Sequence, residues 1–208
     1  MTTQAVMIAE IQDDTERSDE AAIRNKIAAA IRKHQRMRFW FNESRDVTFS
    51  TVIDQADYAF GSAITPEFYT VDGVFLTQGT NVYDLRPTDY RALEILLDAN
   101  STSALPVSFA YINRKMRIYP YPDAAYSVRV TGHVKIDAPA VDADAGNEWF
   151  TEAYDMIMAW AKAELYAHRW EDPTQASVQR TAYQEALSDL VAATNAKVGT
   201  GNIRPTQF

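Results

Sequence analysis

Three consecutive aromatic residues, Phe39-Trp40-Phe41, mark the place where the sequence pattern of this chain changes. The residues before them have helical spacing, and the residues after them alternate as strands do, with turn residues in between. Each aromatic side chain buries a large apolar area on folding, so three in a row cannot all face water without cost. The triplet therefore predicts a buried plug between a helical layer and a β layer, with Trp40 in the core rather than at a ligand.

Helical patterns occupy both ends of the chain. Residues 3–14 predict a short, weakly amphipathic helix, and Ser18 is expected to cap a second helix over about 19–37. A helix led by Trp149 is expected over about 147–170, and Asp172-Pro173 begins a last helix over about 173–196. Apolar stripes support these helices: Ile23, Ile27, Ala30, Ile31 and His34; Trp149, Ala153, Met156, Ile157, Trp160 and Ala163; Val178, Ala182, Ala186, Leu190 and Ala193.

The middle of the chain has the alternation of a β-rich region. A hairpin is expected around Gln78-Gly79 and another across Asn113, and Pro120 and Pro122 indicate an edge of a sheet or the exit of the chain from it. A short helix over Tyr90–Ala99 should bury Leu93, Leu96 and Leu97. The expected strands are Val47–Val52, Asp57–Phe60, Tyr69–Thr77, Thr80–Leu85, Val107–Tyr111, Lys115–Tyr119 and Tyr126–Val134.

The order of these elements predicts an α+β fold. An antiparallel helical bundle is built from both chain ends, a small antiparallel β subdomain is inserted into it, and an extended tail follows. The expected parts are 1–38 for the N-terminal helices, 39–137 for the β-rich insertion, 138–197 for the C-terminal helix pair and 198–208 for the tail.

Composition excludes several classes of protein. No apolar run approaches about 18 residues, so no membrane span is expected, and Met1-Thr2-Thr3-Gln4 lacks the pattern of a signal peptide. The chain has no cysteine, which removes disulfides, thiol catalysis and Cys-based zinc sites. The formal net charge of −8 argues against free affinity for nucleic acid.

Charge is unevenly distributed near the N-terminus. Residues 1–23 hold six acids and one base, and residues 24–45 hold seven bases and one acid. A solvated helix with acids at its start and bases at its end explains this pattern through the helix dipole. A contact face for an acidic neighbour is the alternative.

No catalytic or metal-binding constellation is recognisable. His34, His133 and His168 are isolated from one another, and none has the spacing of a metal ligand. Asp13-Asp14 and the pair Asp142/Asp144 lie in polar stretches where solvation is the expected fate of a carboxylate. The Asp142–Asn147 run lacks the bidentate Glu that a calcium loop needs. We therefore expect no cofactor, no metal and no enzymatic activity.

The eleven tyrosines leave three interpretations open. They could form a platform for carbohydrate or bases, fill the sheet by ordinary packing, or mark a protein interface.

Several features together resemble the head-to-tail adaptors of short-tailed bacteriophages, in particular the tail tubular protein A or gatekeeper branch and the tail accessory factors. They are Arg38-Phe39-Trp40-Phe41-Asn42-Glu43 after a helix, the β insertion, Ile118-Tyr119-Pro120-Tyr121-Pro122-Asp123 before a strand, the Trp149-led helix pair and the C-terminal tail.

This resemblance implies a structural protein of the virion neck, made in the host cytoplasm. It implies a homo-oligomeric ring, usually of about twelve copies, that binds the portal protein and the tail nozzle or tail fibre proteins. Genomic DNA would pass through the channel without sequence-specific binding. The implied portal-binding residues are Val198, Asn202, Ile203, Arg204, Pro205 and Phe208, and the implied tail-side residues are Pro66, Glu67, Phe68, Gln78, Gly79 and Asn81.

Other functions remain open from the residues alone. One is a non-catalytic module that binds peptide or carbohydrate on the Tyr-rich sheet, and another is a different neck or tail-completion protein. An enzyme with two close, buried carboxylates is the third.

Overall fold

A computed structural model describes residues 3–99, 102–140 and 146–198 of the chain. It divides into two compact units. The helical unit consists of Met1–Asn42 and Ile136–Phe208, and the β unit consists of Glu43–Lys135. The α+β fold predicted from the sequence, with helices from both chain ends and strands between them, is confirmed.

The helices lie close to their predicted positions. A single 3₁₀ turn, Trp40–Asn42, ends the first helical segment, and α3 belongs to the β unit. Within the described ranges, none of the helices combines the length and the apolar character that a membrane crossing requires. The helices are α1 Gln4–Thr15, α2 Glu20–His34, α3 Tyr90–Ala99, α4 Glu148–Glu152, α5 Tyr154–His168 and α6 Pro173–Val198.

Phe39 and Trp149 lie at the centre of the helical core. Their rings meet edge to face with centroids 6.0 Å apart, and Phe41 contacts Trp149 at 5.0 Å. The indole N–H of Trp149 donates to the Ile136 carbonyl at 2.8 Å, which satisfies its polar atom inside the core. The other fully buried large side chains of this core include Met7, Ile11, Ile23, Ile27, Ile31, Phe150 and Ile157.

The aromatic triplet is only partly a buried plug. Phe39 is 1% exposed, whereas Trp40 and Phe41 are half-buried and pack against the edge of the same core. The prediction of full burial is therefore right for Phe39 and wrong for Trp40 and Phe41.

The start of α2 differs from the prediction. Ser18 does not cap it: Asp19 occupies the N-cap position and makes no side-chain capping bond. Its carboxylate instead accepts from Arg169 Nε at 3.2 Å, and this interaction lowers the pKa of Asp19. Asp19 thus links the start of α2 to Arg169, the residue that follows α5.

The helix expected over 147–170 is broken at Ala153, whose φ of −123° and ψ of 22° end α4 and begin α5. Asn147 caps α4 by accepting from the Trp149 N–H at 3.1 Å. The predicted cap of α6 is confirmed, because Asp172 Oδ1 accepts from the Gln175 N–H at 2.9 Å.

α6 buries part of the stripe that the sequence predicts, together with residues that the sequence did not indicate. Leu190 is buried as predicted, but Val178 is 55% exposed and Ala182 is exposed too. The stripe that packs inward consists of Ala176, Tyr183, Ala186, Leu187, Leu190 and Thr194, so Ala186 packs against the core as predicted. Most of the surface of this 26-residue helix therefore remains open.

The β unit contains two four-stranded sheets. The first has the order β1-β8-β3-β4 and is antiparallel throughout; the second has the order β2-β7-β6-β5, in which β5 runs parallel to β6. The strands are β1 Glu43–Ser50, β2 Asp57–Ala59, β3 Phe68–Gln78, β4 Asn81–Asp84, β5 Arg86–Pro87, β6 Ser108–Ile112, β7 Lys115–Tyr119 and β8 Ser127–Val134.

Both predicted hairpins are confirmed. β3 and β4 join through Gly79, which has a φ of 60°, and β6 and β7 join through Asn113 and Arg114, both with positive φ. In β8, Gly132 is required because a Cβ there would lie 2.1 Å from the Thr70 carbonyl oxygen.

The interior of the β unit follows the predicted alternation. Tyr126, Val128 and Val130 all point inward from the β8 segment. Leu93 and Leu97 of α3 are buried, but Leu96 is 41% exposed, which corrects its prediction. α3 packs on β6 and β7 through a narrow face, and Leu96 lies on the flank of that face.

Candidate docking surfaces

A groove with acidic walls opens on the helical unit between the start of α5 and the side of α6. It has a volume of about 460 Å³. Ala153, Met156 and Leu190 are buried residues of its floor. The walls carry four exposed carboxylates, and we call this feature the acidic groove: Glu152, Asp155, Glu185 and Asp189.

Trp40 lines one part of the acidic groove. The ammonium group of Lys197 lies 3.8 Å from the centroid of its indole ring, a close cation–π contact. This contact ties the last turn of α6 to the aromatic triplet.

A cluster of bases occupies the end of α2. Arg32 and Lys33 lie in its last turn and Arg36 follows it, and all three side chains are exposed. Lys33 Nζ lies 5.1 Å from the ring centroid of Trp160 and 5.8 Å from that of Tyr183. We call Arg32, Lys33 and Arg36 the basic end of α2.

His34 is buried beneath the basic end of α2. Its Nδ1 lies 2.7 Å from the Ala30 carbonyl oxygen, so Nδ1 carries the proton and donates. Nε2 therefore accepts from the hydroxyl of Tyr183 at 2.9 Å. Burial lowers the pKa of His34, and the charge of Lys33 lowers it further. His34 is a packed residue that joins α2 to α6, as the sequence indicates.

The two loops implied as tail-side contacts lie at opposite ends of β3. Phe68 begins this strand and Gln78 ends it, and eleven extended residues span roughly 35 Å. The structure therefore does not bring Pro66, Glu67 and Phe68 together with Gln78, Gly79 and Asn81. The sequence already contained this information: the two loops flank the predicted strand Tyr69–Thr77, and a strand of that length places them at its opposite ends.

The loop before β3 offers little free surface. Phe68 is 3% exposed and packs on Phe60 with ring centroids 5.8 Å apart, so its ring is unavailable to another chain. Glu67 accepts two bonds of 2.7 Å from the guanidinium of Arg114. Pro66 is half-buried. Phe68 is thus corrected from a contact residue to a core residue.

The tip of the β3–β4 hairpin is open. Gln78, Gly79 and Asn81 are exposed, and all four residues of β4 are exposed as well. Beside β4 lies a cavity of about 610 Å³ to which the exposed side chains of Val82, Tyr83 and Val107 contribute. Sequence analysis did not identify this apolar surface.

The implied portal-binding residues lie almost wholly outside the described ranges. Val198 is the last residue of α6. Asn202, Ile203, Arg204, Pro205 and Phe208 fall beyond it, as Asp142 and Asp144 fall in the gap at 141–145.

The charged groups inside the β unit form a structural network. Arg117 donates to both oxygens of Asp57, at 2.8 and 2.9 Å, and to Glu94 at 2.8 Å. The hydrogen bonds that Asp57 accepts from Arg117 lower the pKa of Asp57. Among the described side chains, no group of three or more His, Asp or Glu is placed to hold a metal ion.

The tyrosines of the β unit serve different purposes. Tyr58 is buried and its hydroxyl bonds the backbone of Val52 and Gln55, while Tyr126 donates to Asp123. Tyr69 and Tyr111 contribute to a cavity of about 340 Å³. Ordinary sheet packing therefore accounts for Tyr58 and Tyr126.

Comparison with known families gives a match over nearly the whole chain. Residues 2–205 match the family model described as SU10 adaptor protein. No curated protein shows significant similarity to the chain.

Proposed function

Because the chain belongs to the SU10 adaptor protein family, a family of bacteriophage structural adaptors, we propose that it joins the capsid portal to the tail in the virion neck. The observation that carries this proposal is the extent of the match. Residues 2–205 include the whole β unit and all of the helical unit except its first residue and its last three. The resemblance to phage head-to-tail adaptors inferred from the sequence is confirmed at the level of the family.

The adaptor acts as a closed ring, of about twelve copies, around a channel for the genome. The net charge of −8 supports this role. An acidic wall repels the phosphates of DNA and lets the genome slide, whereas a basic wall would retain it by releasing counterions.

The C-terminal segment Val198–Phe208 docks on the portal. It continues from the exposed end of α6, and Ile203 and Phe208 are its large apolar side chains after Val198. Arg204 can pair with a carboxylate of the portal, and Pro205 lowers the entropy lost on docking by fixing one backbone angle. Asn202 adds polar contacts to the same site.

The tail side of the ring is the tip of the β3–β4 hairpin. Gln78, Gly79 and Asn81 are exposed there, and the edge strand β4 continues the same open surface. Pro66 and Glu67 are the second candidates, at the other end of β3, where Glu67 is already engaged by Arg114. The proposed partners are the tail nozzle or tail fibre proteins.

The test of this function is to mix the protein with purified portal rings and to image the mixture by electron microscopy. We expect a symmetric ring seated on the portal. A protein that remains monomeric with portal present, and instead titrates a peptide or an oligosaccharide, would identify a binding module.

Truncation after Lys197 tests the docking segment. The truncated chain should keep the helical content of the full chain, because the buried stripe of α6 ends at Thr194, but it should not bind portal. The double substitution Ile203→Ala/Phe208→Ala should weaken docking strongly, and Thr206→Ala/Gln207→Ala in the same segment is the matched control. Docking of the truncated chain with full affinity would assign portal binding to another surface.

A further inference from the structure

The helical unit carries two exposed surfaces of opposite charge. The acidic groove presents four carboxylates, and the basic end of α2 presents three cations. In the part of the chain that the structure describes, none of these seven side chains has an ion-pair partner within 4.0 Å. Both surfaces therefore keep their charge available for another molecule.

The two surfaces lie on different flanks of α6. Tyr183 faces the end of α2, because it contacts both His34 and Lys33. Glu185, a residue of the acidic groove, follows Tyr183 by two positions, which turns it about 200° around the helix axis. The acidic groove and the basic end of α2 of one copy therefore do not contact each other.

A closed ring of identical chains needs two different surfaces on each copy that fit one another. We infer that the basic end of α2 of one copy docks into the acidic groove of the next copy. This inference rests on the proposed function, since it names the contact that closes the ring.

The charges of the two surfaces are complementary. Glu185 and Asp189 are four residues apart on α6, so their side chains are neighbours about 6 Å from each other. Arg32 lies in the last turn of α2, and Arg36 follows the end of that helix by two residues. Two guanidinium groups can thus meet two carboxylates with charge-assisted bonds. The apolar floor of the groove lowers the local dielectric and so strengthens these pairs.

Charge reversal tests the contact directly. The double variant Glu185→Lys/Asp189→Lys and the double variant Arg32→Glu/Arg36→Glu should each lose the ring, measured by light scattering and by electron microscopy on portal. The chain that carries all four substitutions restores opposite charges across the contact, so it should recover the ring. Restoration separates a pairing defect from a folding defect, and circular dichroism of each double variant checks its helical content.

Two exposed residues outside the surfaces serve as charge controls. Asp13→Lys and Arg91→Glu change the charge by the same amount per residue, and the ring should persist in both. High salt should dissociate the wild-type ring, because ion pairs at an exposed contact are screened.

Because the chain has no native cysteine, a thiol-specific crosslinker reacts only with cysteines that are introduced by substitution. An Arg36→Cys preparation mixed with a Glu185→Cys preparation should give a crosslinked dimer with a short bifunctional maleimide. Neither preparation alone should crosslink, and Val178→Cys, on the exposed side of α6, is the control partner for Arg36→Cys. Efficient crosslinking within the Arg36→Cys preparation would reveal a symmetric contact and overturn the inference.

The experiments distinguish a failure of the proposed contact between copies from a failure of the proposed ring-forming function. A wild-type chain that forms no ring, alone or on portal, would refute the proposed ring and this contact with it. A ring that survives both double reversals would refute only the contact. Loss of portal binding with an intact ring in Glu185→Lys/Asp189→Lys would assign the acidic groove to the portal instead.

Discussion

At the scale of single residues, the aromatic triplet serves three purposes. Phe39 fills the helical core, Phe41 stacks on Phe39 at 5.4 Å, and Trp40 turns toward the acidic groove and Lys197. Composition predicts that such residues avoid water, but it does not predict which of the three is enclosed. The local backbone decides this: Phe39 precedes the 3₁₀ turn, whereas Trp40 and Phe41 lie within it.

Substitution of the triplet should therefore give unequal losses. Phe39→Ala removes a fully buried ring and should lower the free energy of unfolding by about 3–5 kcal/mol. Trp40→Ala should cost less, about 1–2 kcal/mol, because its indole is partly in water and its contact with Lys197 is weak. Urea unfolding followed by circular dichroism measures both, and equal losses would mean that Trp40 belongs to the core after all.

At the scale of elements, the sequence predicts those helices and hairpins whose positions are set by long apolar patterns and by turn residues. The positions of α1, α3 and the two hairpins, and the cap Asp172, follow from periodicity and turn chemistry. The buried face of α6 follows only in part: Ala186 and Leu190 pack inward as predicted, whereas Val178 and Ala182 are exposed. A helix whose stripe is mostly alanine has no strong preference for one side. The break at Ala153 was not predicted, because no Gly or Pro occurs there to indicate it. The acidic groove was not predicted either, because it is formed by segments about 30 residues apart in sequence.

The bond between His34 and Tyr183 makes the packing of α2 on α6 dependent on pH. Burial depresses the pKa of His34 in the folded state below its ordinary value of 6.5. The unfolded chain then binds a proton more readily, so stability is complete above about pH 6.5 and falls as the pH drops toward the folded-state pKa. Charging the ring would also oblige Nε2 to donate where it now accepts from Tyr183.

We expect the free energy of unfolding to fall between pH 7 and pH 5 more steeply in the wild type than in His34→Gln. Glutamine keeps polar atoms in the site but does not titrate, so the difference between the two slopes isolates His34 from His133 and His168. Chemical denaturation at a series of pH values is the measurement. Parallel profiles would show that His34 titrates alike in both states.

At the scale of the whole molecule, the β unit is an insertion whose two ends are neighbours. Glu43 opens β1 and pairs with His133 near the end of β8. Directly paired residues of antiparallel strands lie about 5 Å apart, so the two ends of the β unit lie close together. All the residues of the helical core come from the two segments outside the insertion.

The helical unit should consequently fold without the β unit. A chain that joins Asn42 to Ile136 through a short Gly-Ser linker should keep the helical signal per residue expected of α1, α2, α4, α5 and α6 and unfold cooperatively. The same chain with Trp149→Ala is the control, and it should lose that cooperativity because the core loses its central side chain. A joined chain without cooperative unfolding would show that the helical core needs the insertion.

The narrow inward stripe of α6 has a mechanical consequence for an adaptor held under load. Tension applied to the chain after Val198 would enter the helical unit through the last turn of α6. Its component along the helix axis shears the contacts from Ala176 to Thr194 together, over a helix of 26 residues or about 39 Å. When the force acts along the helix axis, all of these contacts share it. When the force lifts one end of the helix away from the core, the contacts break one turn after another. A long helix held along a thin line is thus built to resist pulling along its length and to yield when it is lifted from one end.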